Sequence, residues 1–382
     1  MAALTQEIKA GRQGSLERFW AEMKGKTPLV ELISGNDSLR LVTFLFRGGD
    51  EMRGIALVGP VPPEMRNKQL SHLADTDLWF LTVRLPKAAR FSYAFVLAGK
   101  KYTDPFNLHP LTAESESMAE MADAPAQAWI QPLSNVPTGE IKTLKINSDI
   151  LKKERSVSVY TPAGYAADKR PYGLLIVFDG WDYRRLIPLP TILDNLIASR
   201  KITPLVAVLI HNESQATRNR ELGCDEQFTD FLAKELVPWA RKSYRIGATP
   251  MQTIVAGASL GGVAAAYCGL RYPEIFGNVL SQSGAFWYYP GWPGKEVAEN
   301  ETGWLARQFE AQRKLPVRFY LEAGLFETDA PLTILTENRR LRDVLKAKGY
   351  ELTYSEFAGG HDYINWRGSV ADGLIALVGK DQ

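Results

Sequence analysis

The sequence predicts an α/β protein: a mainly parallel sheet with helices on both faces, preceded by a smaller β-rich domain. Three observations carry this. Residues 172–178, 205–210 and 253–256 are near-continuous apolar runs, as strands covered on both faces require. Helical patterns alternate with these runs, which implies crossover connections and a parallel sheet. Residues 25–98 carry short strand-like runs punctuated by Gly48-Gly49 and Gly59-Pro60-Val61-Pro62-Pro63, the pattern of a small β-sandwich. A length of 382 residues has room for both, divided as 1–137 and 138–382.

Taken in order, residues 1–24 are expected to be helical, with Leu16, Phe19, Trp20 and Met23 on one packing face. Strands are expected over Leu39–Phe46, Gly54–Val58, Leu78–Leu85 and Phe91–Leu97. Residues 99–137 lose periodicity and gain Ala, Pro, Ser and Glu, so they read as a linker anchored at points such as Asp104-Pro105-Phe106-Asn107. Glu140–Ile146 and Ser156–Tyr160 alternate as paired strands. Pro188 and Pro190 introduce a helix to residue 198, and Glu226–Ser243 has an apolar helical face. Strands are expected over Val279–Ser283, Pro316–Ala323 and Glu351–Phe357, with a helix over Leu332–Lys348.

The chemistry is concentrated at Gly257-Ala258-Ser259-Leu260-Gly261. An apolar strand leads in and a small-residue helix, Gly262 to Leu270, leads out. That strand–turn–helix context is the nucleophile elbow, in which a serine sits on a strained turn above the sheet. His361, in Gly359-Gly360-His361-Asp362, follows about a hundred residues later. Serine before acid before histidine is the triad order of α/β-hydrolases. The acid is expected on the loop after residues 316–323, where Glu327 and Asp329 are the candidates, Glu327 favoured. Glu322 lies within the strand, and Asp362 adjoins the histidine it would have to orient. An oxyanion hole needs two backbone N–H groups. Leu260, after the nucleophile, would supply one, and Gly180 or Trp181, after the apolar run 172–178, the other.

Composition excludes several classes. Hydrophobic residues make up 45% and charged residues 23%, as in ordinary globular proteins. A net charge of +2 gives no nucleic-acid footprint. Cys224 and Cys268 have neither metal nor redox spacing, and no metal or cofactor is expected. The N-terminal residues lack a basic-then-apolar leader and no run is long enough to span a bilayer, so a cytoplasmic protein without membrane partners is expected.

The motifs together resemble the enterochelin (enterobactin) esterases, hydrolases of ferric catecholate siderophores. The likeness rests on Thr76-Asp77-Leu78-Trp79, Asp104-Pro105-Phe106-Asn107-Leu108, Asp179-Gly180, Arg218 with Glu221-Leu222, and the elbow. It continues through Leu280-Ser281-Gln282-Ser283-Gly284 with Phe286 and Trp287, Glu322-Ala323-Gly324 with Glu327, and His361-Asp362 with Trp366-Arg367-Gly368. The resemblance implies an immunoglobulin-like domain ahead of an α/β-hydrolase domain, with Ser259, His361 and Glu327 as the triad. It implies a small-molecule substrate, a ferric catecholate trilactone, with Arg218 facing its negative charge. Arg367, Trp287 and Trp366 lie beside the motif loops and suit an anionic, aromatic ligand. Arg220 reads as a solvated residue. Ala258 departs from the Gln common in the family at that position, and Tyr288-Tyr289 follow Trp287. The competing reading is a carbohydrate-active feruloyl or acetyl esterase.

Overall fold

The computed structural model describes residues 6, 14–111, 116–165, 171–290, 303–329 and 333–379. By its internal contacts the chain forms two units, Met1–Pro125 with Ala358–Asp362, and Ala126–Phe357 with Tyr363–Gln382. The boundary falls at 125/126, where sequence analysis places it at 137/138. The reason lies in residues 129–131: the Asn195 amide donates to the carbonyls of Trp129 and Gln131, both at 2.8 Å, and Trp129 and Ile130 pack on the second unit's core.

The first unit begins with helix α1 (Ser15–Met23). Its buried Trp20 donates to Asp77 at 2.9 Å and stacks on Phe106 at 4.9 Å, so the aromatic stripe packs as expected. The rest of the expected helix, residues 1–5 and 7–13, lies outside the described residues. One sheet orders β1 (Leu29–Ile33), β2 (Asn36–Arg47), β6 (Leu78–Pro86) and β5 (Ser71–His72). The other orders β4 (Lys68–Gln69), β3 (Ala56–Val58), β7 (Arg90–Leu97), β10 (Glu116–Glu120) and β9 (Pro110–Leu111), with β8 (Lys100–Tyr102) also on β7. All pairings are antiparallel. Phe44 meets Tyr93 at 4.8 Å and Phe46 meets Phe95 at 5.1 Å, joining the sheets through aromatic rings. The expected linker over 99–137 is corrected by β8, β9 and β10. Glu116-Ser-Met-Ala-Glu has little strand propensity, but pairing with β7 buries Ser117, Met118 and Ala119.

In the second unit an eight-stranded sheet has the order β11 (Glu140–Ser148), β12 (Lys153–Thr161), β14 (Leu205–Ile210), β13 (Gly173–Val177), β15 (Thr253–Ala258), β16 (Asn278–Gln282), β17 (Arg318–Gly324), β18 (Leu352–Phe357). The first two strands are antiparallel and the six from β14 onward are mutually parallel. Alternation divides the core. Leu174, Ile176 and Phe178 enter one apolar cluster, Leu175 and Val177 the other. Helices α2 (Gly180–Arg185), α3 (Leu189–Ala198) and α10 (Tyr363–Val378) contribute to the second cluster. Helices α5 (Glu226–Phe231), α6 (Val237–Ser243), α7 (Leu260–Arg271), α8 (Trp304–Ala311) and α9 (Ile334–Ala347) contribute to the first.

Two local departures have clear causes. The helix expected over 226–243 is interrupted by a π-helical turn at Leu232–Leu236, two residues before Pro238, which has no N–H to continue the ladder. Helix α4 (Gln215–Leu222) was not expected, because it carries no apolar stripe. Its start is fixed by Ser214, whose hydroxyl oxygen accepts from Thr217 N–H at 3.1 Å.

Candidate active site

Ser259 closes β15 and precedes α7, with φ 59° and ψ −124°. This is a conformation that a residue with a Cβ adopts only under strain. The turn is pinned on both sides. Ser259 N–H donates to Gln282 O at 2.9 Å, and Ser259 O accepts from Gly262 and Ala285, both at 3.0 Å. The flanking glycines follow from steric need. A Cβ on Gly257 would lie 2.6 Å from the Gly261 carbonyl carbon, and one on Gly262 would lie 2.3 Å from Ser281 Oγ. Helix α7 therefore begins directly under the serine. Its first amides, Leu260 and Gly261, have no acceptor within the helix. They present positive potential where negative charge would develop.

β13 lies parallel beside β15, with Val177 opposite Ala256. The chain then turns at Asp179, φ 55° and ψ 45°, into α2, so Gly180 and Trp181 form the first turn of that helix. A Cβ on Gly180 would lie 2.8 Å from the Leu209 carbonyl carbon and 3.0 Å from His211 Nδ1, so only glycine fits there. Trp181 is half exposed and stacks on His211, ring centroids 3.9 Å apart. Burial pushes His211 down to about 4, with the Arg184 charge adding to it, so this ring is neutral at pH 7.

The two candidate acids separate by burial. Glu327 is 5% exposed, and its Oε2 accepts from Gly324 N–H at 2.6 Å, while Asp329 is exposed. His361 follows β18 on the loop 358–362. Its neighbour Asp362 accepts from Ser92 N–H at 3.1 Å, a bond that ties down the loop.

Glu322 is buried in β17 and accepts from Gln282 Nε2 at 3.1 Å, Ser369 Oγ at 2.5 Å and Tyr320 OH at 3.0 Å. Burial pushes its carboxyl up to about 7 despite these donors. A folded-state value above the unfolded 4.5 means that the native state holds the proton more tightly, so stability falls as pH rises from 4.5 through about 7. That shift corresponds to roughly 3 kcal/mol. Thermal melts between about pH 5 and about pH 8 should show a decline that Glu322→Gln flattens; an unchanged slope in the variant would place the titration elsewhere.

An open cleft of about 830 Å³ lies beside Leu260, lined among others by Asn219, Arg220, Gln227, Trp287 and Tyr288. Trp287 lines this cleft together with Leu260, the residue after Ser259. Arg220, expected to be a solvated residue, is exposed and also lines the cleft. Three of the expected binding residues have partners within the protein. Trp366 is core: it is 3% exposed, and its indole N–H donates to Ser283 Oγ at 3.0 Å. Arg218 is engaged by Asp179, Nε to Oδ1 at 2.6 Å and Nη2 to Oδ2 at 2.8 Å. Arg367 donates to Gln127 Oε1 at 2.8 Å. Sequence analysis could not find these partners, since they lie 83, 39 and 240 positions away in the chain.

Among the described residues no helix is long and apolar enough to cross a membrane. Residues 148–377 match the family described as "Putative esterase", and residues 41–101 match "Enterochelin esterase, N-terminal". The iron(III) salmochelin esterase of Escherichia coli O6:H1 is 30% identical, covering 99% of this chain and 98% of its own. The ferric enterobactin esterase of Salmonella typhimurium has a similar structure, with TM-score 0.76, 26% identity, and coverage of 94% of this chain and 98% of that one. The enterobactin esterase of Shigella flexneri, crystallised in the presence of enterobactin, gives TM-score 0.74, 28% identity, and coverage of 96% and 98%. With relatives matched from end to end and both halves recognised, the chain belongs to the enterochelin esterase family.

Proposed function

We propose that this protein is a serine esterase that hydrolyses the ester bonds of a ferric catecholate trilactone and so releases iron, in the cytoplasm. The observation that carries this reading is the strained Ser259 turn opening beside a cleft lined by Arg220 and Trp287. The parallel sheet with its nucleophile elbow is read as an α/β-hydrolase domain, and the two antiparallel sheets of the first unit as immunoglobulin-like.

In this reading Ser259 Oγ attacks the ester carbonyl while His361 takes its proton. The carbonyl π electrons move to oxygen, and the amides of Leu260 with Gly180 or Trp181 hold that oxyanion. The tetrahedral intermediate expels the serine alkoxide of the trilactone, which receives the proton from His361. Water, deprotonated by His361, then attacks the acyl-enzyme carbonyl, and the Ser259 Oγ leaves, taking that proton back from His361. Glu327 orients the imidazole and stabilises its cation without taking the proton. Its burial on the loop after β17 supports it over Asp329.

The substrate carries a triple negative charge among flat aromatic rings. An exposed guanidinium and an indole in one cleft suit that chemistry. Arg220→Ala and Trp287→Ala should each raise KM for ferric enterobactin by about tenfold or more, with a smaller change on the neutral p-nitrophenyl acetate. Equal effects on both substrates would remove the cleft from charge recognition. Faster turnover of feruloylated sugars than of ferric enterobactin by the wild type would favour a carbohydrate esterase.

A further inference from the structure

We propose that Arg218 is a positioning residue: it neutralises and anchors Asp179, so that a buried carboxylate can shape the oxyanion turn without opposing the negative charge that forms there. This rests on the serine-esterase reading and assigns Arg218 away from the substrate.

Asp179 is the residue immediately before α2, where an aspartate commonly caps the helix by accepting from its first amides. Here the carboxylate makes no such bond. Only its backbone oxygen turns to the helix, accepting from Asp182 at 2.9 Å and Tyr183 at 3.1 Å. The carboxylate is drawn instead to Arg218, through both oxygens, and to the Asn212 amide. The amide of Trp181 is therefore not claimed by the side chain that would ordinarily compete for it.

The same carboxylate lies close to the nucleophile's helix. A Cβ on Gly261 would lie 3.5 Å from Asp179 Oδ2, so the acid flanks the first turn of α7. With Asp179 only 2% exposed, an unpaired charge there would act through a poorly screened medium on any oxyanion beside Leu260. Arg218 cancels it in the bidentate geometry that only arginine supplies. Burial opposes the guanidinium charge, but the Asp179 hydrogen bond and charge overcome it and hold Arg218 above its ordinary range. The arginine is itself held in place, because α4 is capped by Ser214 and tied down by Glu221, which pairs with buried Arg155 at 2.9 Å.

The test uses p-nitrophenyl acetate, which carries no charge for Arg218 to recognise. Arg218→Met should lower kcat by roughly ten- to a hundredfold with KM little changed. Adding Asp179→Asn should recover most of that loss, since asparagine tolerates the left-handed backbone and carries no charge. A purely structural arginine would not be rescued by removing its partner's charge. Should Arg218→Met fail to fold by circular dichroism, Arg218→Lys with and without Asp179→Asn gives the same comparison with a smaller loss. A double variant no better than the single one, or a single variant impaired only in KM for ferric enterobactin, would overturn the inference. Failure of the underlying reading has a separate signature: a wild-type protein that turns over the ester no faster than Ser259→Ala.

Discussion

Ser259→Ala should abolish ester hydrolysis, lowering kcat by about 10⁴-fold or more on both p-nitrophenyl acetate and ferric enterobactin. Removal of the hydroxyl leaves no group at the end of β15 that could form the acyl-enzyme. The fold should survive, because the turn is held by backbone bonds to Gln282, Gly262 and Ala285 that do not use the side chain. Binding of the ferric complex should persist as well, which separates chemistry from recognition. The backbone itself supplies a further check. At φ 59° an alanine keeps the strain of the serine, whereas glycine relieves it. Ser259→Gly should therefore be as inactive as Ser259→Ala but more stable than it, by about 1 kcal/mol in denaturant melts. Activity above a few per cent in either variant would remove Ser259 from the nucleophile's role. A glycine variant less stable than the alanine one would mean that the turn is not strained.

The second large effect is expected at the acid. Glu327→Ala should lower kcat by about 10³- to 10⁴-fold, somewhat less than loss of the nucleophile, because a serine–histidine pair without its acid keeps partial competence. Asp329→Ala, two residues on and exposed, should leave kcat nearly unchanged. Part of the Glu327 effect will come through the loop, since its carboxylate also accepts from Gly324 N–H and its carbonyl from Leu335 N–H. Glu327→Gln keeps the size and one acceptor oxygen, so it separates these contributions. A loss in Glu327→Gln close to that in Glu327→Ala assigns the effect to charge. The reverse ranking of Glu327 and Asp329 would move the acid to Asp329.

Legibility from sequence followed the range of the interactions. The Ser259 turn is local: its glycines, strand and helix lie within a few residues, so the motif announces its own geometry. Buried parallel strands such as β14 and β15 were legible for the same reason, as runs of apolar residues need no partner to be recognised. Helix α4 was invisible because polar residues fill it, and its burial depends on Arg155 and Asp179 in distant strands and turns. Strand β10 exists because β7 and β9 pair with it on either side. The family resemblance sets Arg218 toward the substrate, and Trp366 lies beside a motif loop where a tryptophan suits an anionic aromatic ligand. Their partners in the fold, Asp179 and Ser283, are reached through contacts that no spacing in the sequence encodes. Arg220 shows the converse: a residue with an unremarkable sequence context that lines the cleft, because the turn of α4 carrying Arg218 inward carries its neighbour outward.

Ser259 is proposed to open a ferric catecholate trilactone. The most direct measurement is product mass after incubation of ferric enterobactin with the wild type and with Ser259→Ala, quenched at intervals. Each lactone opening adds one water, so linear trimer should appear first, followed by dimer and monomer of dihydroxybenzoylserine, in the wild type alone. Intact cyclic substrate in the wild-type reaction, or the same products formed by Ser259→Ala, would contradict the account.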